Sequence, residues 1–151
     1  MLFKKEFKIG SINVGGDSKC IIIAEVSANH NNDYKIIKKL LNSAKKNGAD
    51  LVKIQSYTAE TLTIKSFNKD FLIKKKNPWN KSKYLWNLYK KAETSEKLTR
   101  KAFEYAKKIG IEIFSSPFDI GSVDFLEKLG CPAYKIASPE INHIPLIEKV
   151  A

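Results

Sequence analysis

Two lysines, Lys53 and Lys135, sit inside short apolar runs of the kind that form buried strands, where an unpaired ammonium is costly. Each is followed within a few residues by groups that bind rather than pack: Gln55 after Lys53, and Ser138 and Glu140 after Lys135. Two further runs carry polar groups in the same way, IIIAEVS (21–27) with Glu25 and IEIFSSPF (111–118) with Ser115 and Ser116. Lysines and hydroxyls suit an anionic ligand, because they donate charge-assisted hydrogen bonds to its oxygens. Carboxylates beside them suit a polyhydroxylated ligand and can also move protons. Each residue has a plainer reading too. Glu25 on an adjacent strand can neutralise Lys53, the serines are ordinary turn residues, and loop carboxylates are usually solvated.

Such groups converge if the four runs are strands of one parallel sheet, whose functional groups gather at the C-terminal ends. Strands are expected at about 20–26, 51–57, 111–118 and from Pro132 onward. On the second, alternation sends Val52 and Ile54 toward helices, and Lys53 and Gln55 to the opposite face. Between strands, Asp33 is placed to cap a helix with Ile36, Ile37, Leu40, Leu41 and Ala44 on one face and Gly48 as its stop. Thr94 or Ser95 caps the next, with Leu98, Ala102, Phe103, Ala106 and Ile109 inward and Gly110 ending it. A third helix is expected at about 120–129 before Gly130, and Pro145 suits the first turn of a fourth. Residues 1–19 read as a small hairpin extension, alternating and then reaching a Gly-Gly turn.

Strands alternating with amphipathic helices across short Gly-containing turns predict an α/β fold with a parallel sheet and right-handed crossovers. Four such units are half of a TIM (β/α)8 barrel, which takes about 250 residues. Residues 20–151 are therefore expected to be the incomplete N-terminal half of a barrel. A small doubly wound sheet competes, but its Gly-rich first turn has no counterpart in SANHNN. The stretch 58–93, rich in Lys, Asn and aromatics, delays the second helix. Within it KKKNPWNKSK (74–83) reads as a solvated loop, with a lid as the alternative. Trp79, Tyr84, Trp86 and Tyr89 are expected to pack.

Hydrophobic content of 43% with 28% charged residues is that of a globular chain. No run nears the roughly 18–20 apolar residues that cross a bilayer, and MLFKKEFKIG has no leader-like apolar segment. A cytoplasmic protein without a membrane partner is the expectation, with Cys20 and Cys131 as buried free thiols. The net charge of +11 raises nucleic-acid binding, but only Arg100 of the 27 basic residues is arginine, the side chain that makes phosphate and base forks. No nucleic-acid partner is expected. His30 and His143 lie in different loops without metal-ligand spacing, so no complete metal site is predicted in this chain. His30 is open to positioning a substrate or to stabilising its own loop.

AEVSANHNND, GADLVKIQSYTAETLTI, FSSPFD and PAYKIASPEINHIPLIEKV resemble the N-terminal half of the sialic acid synthase family, from about Cys20 to Ala151. IQSYTAETLTI and SSPFD are most similar to its pseudaminic acid synthases, with the N-acetylneuraminate and legionaminate synthases as near relatives. The resemblance implies a TIM-barrel transferase that condenses phosphoenolpyruvate with a 2-acetamido or 2,4-diacetamido hexose and releases phosphate. It implies phosphoenolpyruvate contacts for Lys53, Ser116, Lys135 and Ser138, sugar contacts for Gln55 and Glu140, and a role for Glu25 near the reacting carbons. It implies a divalent metal, manganese or magnesium, whose histidine ligands lie on later strands outside this chain, and a homodimer of the complete enzyme. The chain is accordingly expected to be a fragment, inactive alone and lacking the C-terminal half. The competing reading is a non-catalytic half-barrel that binds a sugar phosphate or a full-length synthase subunit.

Overall fold

The computed structural model describes residues 5–151, so residues 1–4 of the expected hairpin extension lie outside the described residues. Two short strands, β1 (Glu6–Ile9) and β2 (Ile12–Gly15), pair antiparallel. The chain reverses at Gly10–Ser11, where Gly10 takes a φ of 57° open to a residue without Cβ. The Gly15–Gly16 pair lies after the reversal and leads the chain away. Ser11 donates from its backbone nitrogen and its hydroxyl to Oε1 of Glu112, at 3.0 and 2.8 Å, which pins the turn to the start of a distant strand.

The main body is a parallel sheet in the order β3 (Ile23–Ser27), β4 (Leu51–Ser56), β5 (Glu112–Pro117). Helix α1 (Tyr34–Lys46) follows β3, capped by Asp33, whose side chain accepts from the backbone nitrogen of Lys35 at 2.6 Å. In the segment 58–93, a one-turn helix α2 (Ala59–Leu62) and a two-turn helix α3 (Leu85–Ala92) interrupt what the sequence presents as loop. Then α4 (Glu96–Ile109) runs back, capped by Ser95 rather than Thr94 and ended by Gly110 in the left-handed region. Helices α5 (Ile120–Lys128) and α6 (Ile144–Val150) complete the chain, with Pro145 in the first turn of α6.

The core lies between the sheet and the outer helices. Val52, Ile54 and Ile113 meet Ile37 and Leu41 of α1, Leu98, Ala102 and Ala106 of α4, and Leu126 of α5. Leu41 is 1% exposed, and burial of this kind stabilises by roughly 2 kcal/mol per large aliphatic side chain. With Val52 and Ile54 spent on this side, pleating turns Lys53 and Gln55 the other way.

Two expectations fail in instructive ways. The first strand begins at Ile23, not Cys20, and Cys20 is exposed rather than buried. The fourth strand reduces to one parallel bridge, Ser115 with Tyr134, and one bond from Lys135 nitrogen to Ser115 oxygen at 3.2 Å. Pro132 and Pro139 remove two backbone donors from that segment, and it pairs with β5 on one side alone among the described residues.

Candidate functional site

The register of the sheet assembles four of the predicted residues on one face. Glu25 stands opposite Lys53 across β3 and β4, and Gln55 stands opposite Ser116 across β4 and β5. Lys53 and Gln55 are two residues apart on one strand, so the four groups form a compact polar patch near the strands' C-terminal ends. Between Glu25 and Ser27 the ladder is irregular, and Ser27 adopts a φ of 50°. That kink lets Ser27 donate from its nitrogen and its hydroxyl to Oε1 of Glu25, at 3.0 and 2.9 Å. The other carboxylate oxygen of Glu25 takes the ammonium of Lys53 as an ion pair.

The two adjacent serines separate by face. Ser115 turns toward the helices and bonds the hydroxyl of Ser56 at 2.9 Å, a structural contact. Ser116 turns the other way, is 1% exposed, and its hydroxyl has no hydrogen-bond partner among the described residues. A buried hydroxyl without a partner is uncommon, because losing water uncompensated is unfavourable. Beside it, Tyr57 continues the alternation of Lys53 and Gln55 and packs edge-on against Phe118, ring centroids 5.5 Å apart, and against Tyr89 at 6.3 Å. Burial, with Tyr89 and Glu93 nearby, pushes the Tyr57 phenol up to about 12. Tyr57 is not among the residues singled out from the sequence, although the period-two spacing 53, 55, 57 marks it for the same face.

Lys135, Ser138 and Glu140 are less closely gathered. The bridge at Tyr134 brings Lys135 to the level of Ser116, but Lys135 is exposed and makes no ion pair among the described residues. Ser138 is also exposed and opens a short 3-10 turn that ends at Glu140. Glu140 is half-buried and its Oε2 lies 3.3 Å from Nδ1 of His143. Nearby Ala137 joins the Tyr57–Phe118 cluster, so the turn follows directly on the same rim.

His30 stabilises its own loop. It is 1% exposed, its Nδ1 accepts from the backbone nitrogen of Asn32 at 3.1 Å, and its Nε2 is 3.1 Å from the hydroxyl of Thr94. Both ring nitrogens are engaged, and burial holds the imidazole below its usual range. No group of three or more His, Cys, Asp and Glu is placed to hold a metal ion among the described residues. These residues do not fit the divalent metal that the family resemblance implies. An open pocket of about 710 Å³ exists, but it lies at the opposite end of the sheet, beside Ser11, Glu112 and Gly130. The polar patch of Glu25, Lys53, Gln55 and Ser116 lies apart from that pocket, on the face of the sheet turned away from the helices.

Comparison with known proteins decides the family. The pattern of the NeuB family matches residues 40–151. The chain belongs to the NeuB family. It is 45% identical over 130 residues to the pseudaminic acid synthase of Helicobacter pylori, covering 86% of this chain and 38% of that protein. It is 39% identical over 145 residues to the N,N'-diacetyllegionaminic acid synthase of Legionella pneumophila, covering 95% and 40%. Among solved structures, the N-acetylneuraminic acid synthetase of Leptospira borgpetersenii, in complex with citrate, superposes with a TM-score of 0.78 at 30% identity, covering 95% of this chain and 45% of that one. The chain thus has an α/β fold similar to that of sialic acid synthases, and spans about two-fifths of the length of the curated relatives it matches.

Proposed function

We propose that this chain contributes the phosphoenolpyruvate-binding arc of a nonulosonic acid synthase, in a barrel of which it forms the first four β/α units. In this reading C3 of phosphoenolpyruvate bonds to the aldehyde carbon of an open-chain 2-acetamido or 2,4-diacetamido hexose. Water adds at C2, and the C–O bond to phosphate breaks. Lys53, Lys135, Ser116 and Ser138 hold the phosphate and carboxylate, Gln55 and Glu140 face the sugar, and Glu25 stands near the reacting carbons. Pre-placed donors at developing charge lower the barrier without reorganisation at the moment of reaction. A divalent metal, manganese or magnesium, belongs to the complete enzyme in this reading. No group of residues that could hold it is found among the described residues, and no step here is routed through it.

The observation that carries the reading is Ser116: a buried hydroxyl with no hydrogen-bond partner among the described residues, in register with Gln55, which lies two residues along β4 from Lys53. A buried hydroxyl with no protein partner at a strand end is what an anionic ligand would complete. The competing scaffold reading draws on the Lys53–Glu25 pair, which neutralises the central cation from within. One experiment separates them. The chain alone, given phosphoenolpyruvate, an acetamido hexose and manganese, is expected to release no phosphate. Joined to the C-terminal portion of a NeuB-family synthase it should release phosphate, and Ser116→Ala should depress that release. A folded, joined protein with no turnover for any acetamido hexose would leave the scaffold reading standing.

A further inference from the structure

The segment between α2 and α3 puts its apolar side chains where water is. Ile64 is 71% exposed, Phe67 55%, Leu72 46% and Trp79 60%. Phe67, Leu72 and Trp79 belong to one projection, and Ile64 lies just before it in the chain. Leu72 and Tyr84 form an antiparallel bridge, the nitrogen of Ile73 donates to the oxygen of Lys83 at 2.8 Å, and the ring of Phe67 lies 5.2 Å from that of Tyr84 at the base. The chain between runs out and back through tight turns, with Trp79 at the tip just before a 3-10 turn at Asn80–Ser82. Around this apolar strip stand the exposed lysines Lys65, Lys69, Lys74, Lys75, Lys76, Lys81 and Lys83. From Phe71 to Ala92 the sequence holds seven lysines and no acidic residue.

We propose that this projection docks the protein on an anionic lipid surface, with Trp79 entering the headgroup region and the lysines meeting the lipid charges. A tryptophan is at home there because its ring is apolar and its N–H can stay wet. Clustered lysines add attraction to anionic headgroups that decays with salt. A single-stranded nucleic acid is the other polyanion that favours basic and aromatic surfaces, but it fits less well. Ile64 and Leu72 offer aliphatic side chains that do not stack on bases, and the segment has no arginine to fork onto phosphate. No helix among the described residues is long and apolar enough to cross a membrane, so the contact is one of attachment at the surface. The expectation of no membrane partner came from the lack of a spanning run, which does not bear on such attachment.

Sedimentation of the purified chain with vesicles tests this directly. Vesicles of phosphatidylcholine with phosphatidylglycerol should carry the protein down at low salt, less so at physiological salt, and pure phosphatidylcholine should not. Trp79→Ala should lower the partition several-fold while Trp79→Phe keeps it. Changing Lys74, Lys75 and Lys76 together to Gln should lower it on the order of a hundredfold. Far-ultraviolet circular dichroism checks that each variant is folded, and Trp79 at the exposed tip makes loss of fold a poor explanation for loss of binding. The proposal is overturned if anionic vesicles fail to bind the folded protein at low salt, or if neutral vesicles bind it equally. It is also overturned if Trp79→Ala binds as well as the parent, if a single-stranded polynucleotide binds more tightly and displaces the vesicles, or if Trp79→Ala dissolves a dimer instead.

Discussion

Lys53 and Glu25 face each other across β4 and β3 and are joined as an ion pair, so the cation on the inner face is neutralised before any ligand arrives. The pair is lopsided. The side chain of Lys53 is 14% exposed and that of Glu25 48%, so the ammonium depends on the carboxylate more than the reverse. Glu25→Gln should cost about 1 kcal/mol, discounted for the exposure of the carboxylate, because it leaves a largely buried charge without its partner. An anion can take the vacated place. Inorganic phosphate should therefore raise the melting temperature of Glu25→Gln more than that of the parent, with potassium chloride at equal ionic strength as the control. An equal rise in both proteins would mean that anions do not reach Lys53.

Ser115 and Ser116 should respond oppositely to the same truncation. Ser115→Ala leaves the buried hydroxyl of Ser56 without its 2.9 Å partner and should destabilise by about 1 kcal/mol. Ser116→Ala removes a buried hydroxyl with no protein partner among the described residues, and should leave stability unchanged or slightly higher. Urea denaturation of the two variants checks this. A loss at Ser116 as large as at Ser115 would mean that its hydroxyl is satisfied in solution and not held open.

The face assignment of these residues was legible because it needs only alternation. Val52 and Ile54 are apolar and go to the helices, and Lys53 and Gln55 follow to the other side. Helix ends were equally plain, since Asp33, Ser95 and Gly110 act through local bonds that depend on a few neighbouring residues. What could not be read was anything set by partners distant in sequence. The hold of Glu112 on Ser11 spans 101 residues, and only the fold brings them together. The fourth strand looked like the others in composition, but a strand is made by its neighbours, and this one has a single bridge. Trp79 was expected to pack like Tyr84 and Tyr89, because spacing says nothing about which way a loop projects.

Buried His30 makes stability depend on pH in a predictable direction. Burial lowers its folded pKa below the ordinary 6.5, so the unfolded chain binds the proton more readily. Its contribution is intact above about pH 6.5, declines as pH falls from there toward the lowered folded value, and levels off below it. With Nδ1 accepting from Asn32, the neutral ring carries its proton on Nε2, toward Thr94. His30→Gln should be less stable at neutral pH and should lose this part of the slope. Urea midpoints at about pH 7.5 and about pH 5.5 for both proteins decide it. An unchanged slope in the variant would place the dependence on other groups.

Glu93 fastens the segment that carries the exposed projection. One oxygen accepts from the backbone nitrogen of Ala59 at the start of α2 at 2.8 Å, and the other lies 2.7 Å from the ammonium of Lys90 on α3. Its hydrogen bond raises the pKa of Lys90, but that lysine is solvent-facing, and exposed ion pairs contribute little. The bond to Ala59 is the stronger hold, since it satisfies an amide at the junction of two elements. Glu93→Gln keeps an acceptor for that amide and should cost less than about 0.5 kcal/mol, whereas Glu93→Ala should cost about 1–2 kcal/mol. Trypsin should then cut among the lysines of residues 65–83 faster in Glu93→Ala than in Glu93→Gln, because local opening of α2 from α3 frees the whole projection. Equal losses in both variants would shift the credit from the amide to the Lys90 pair.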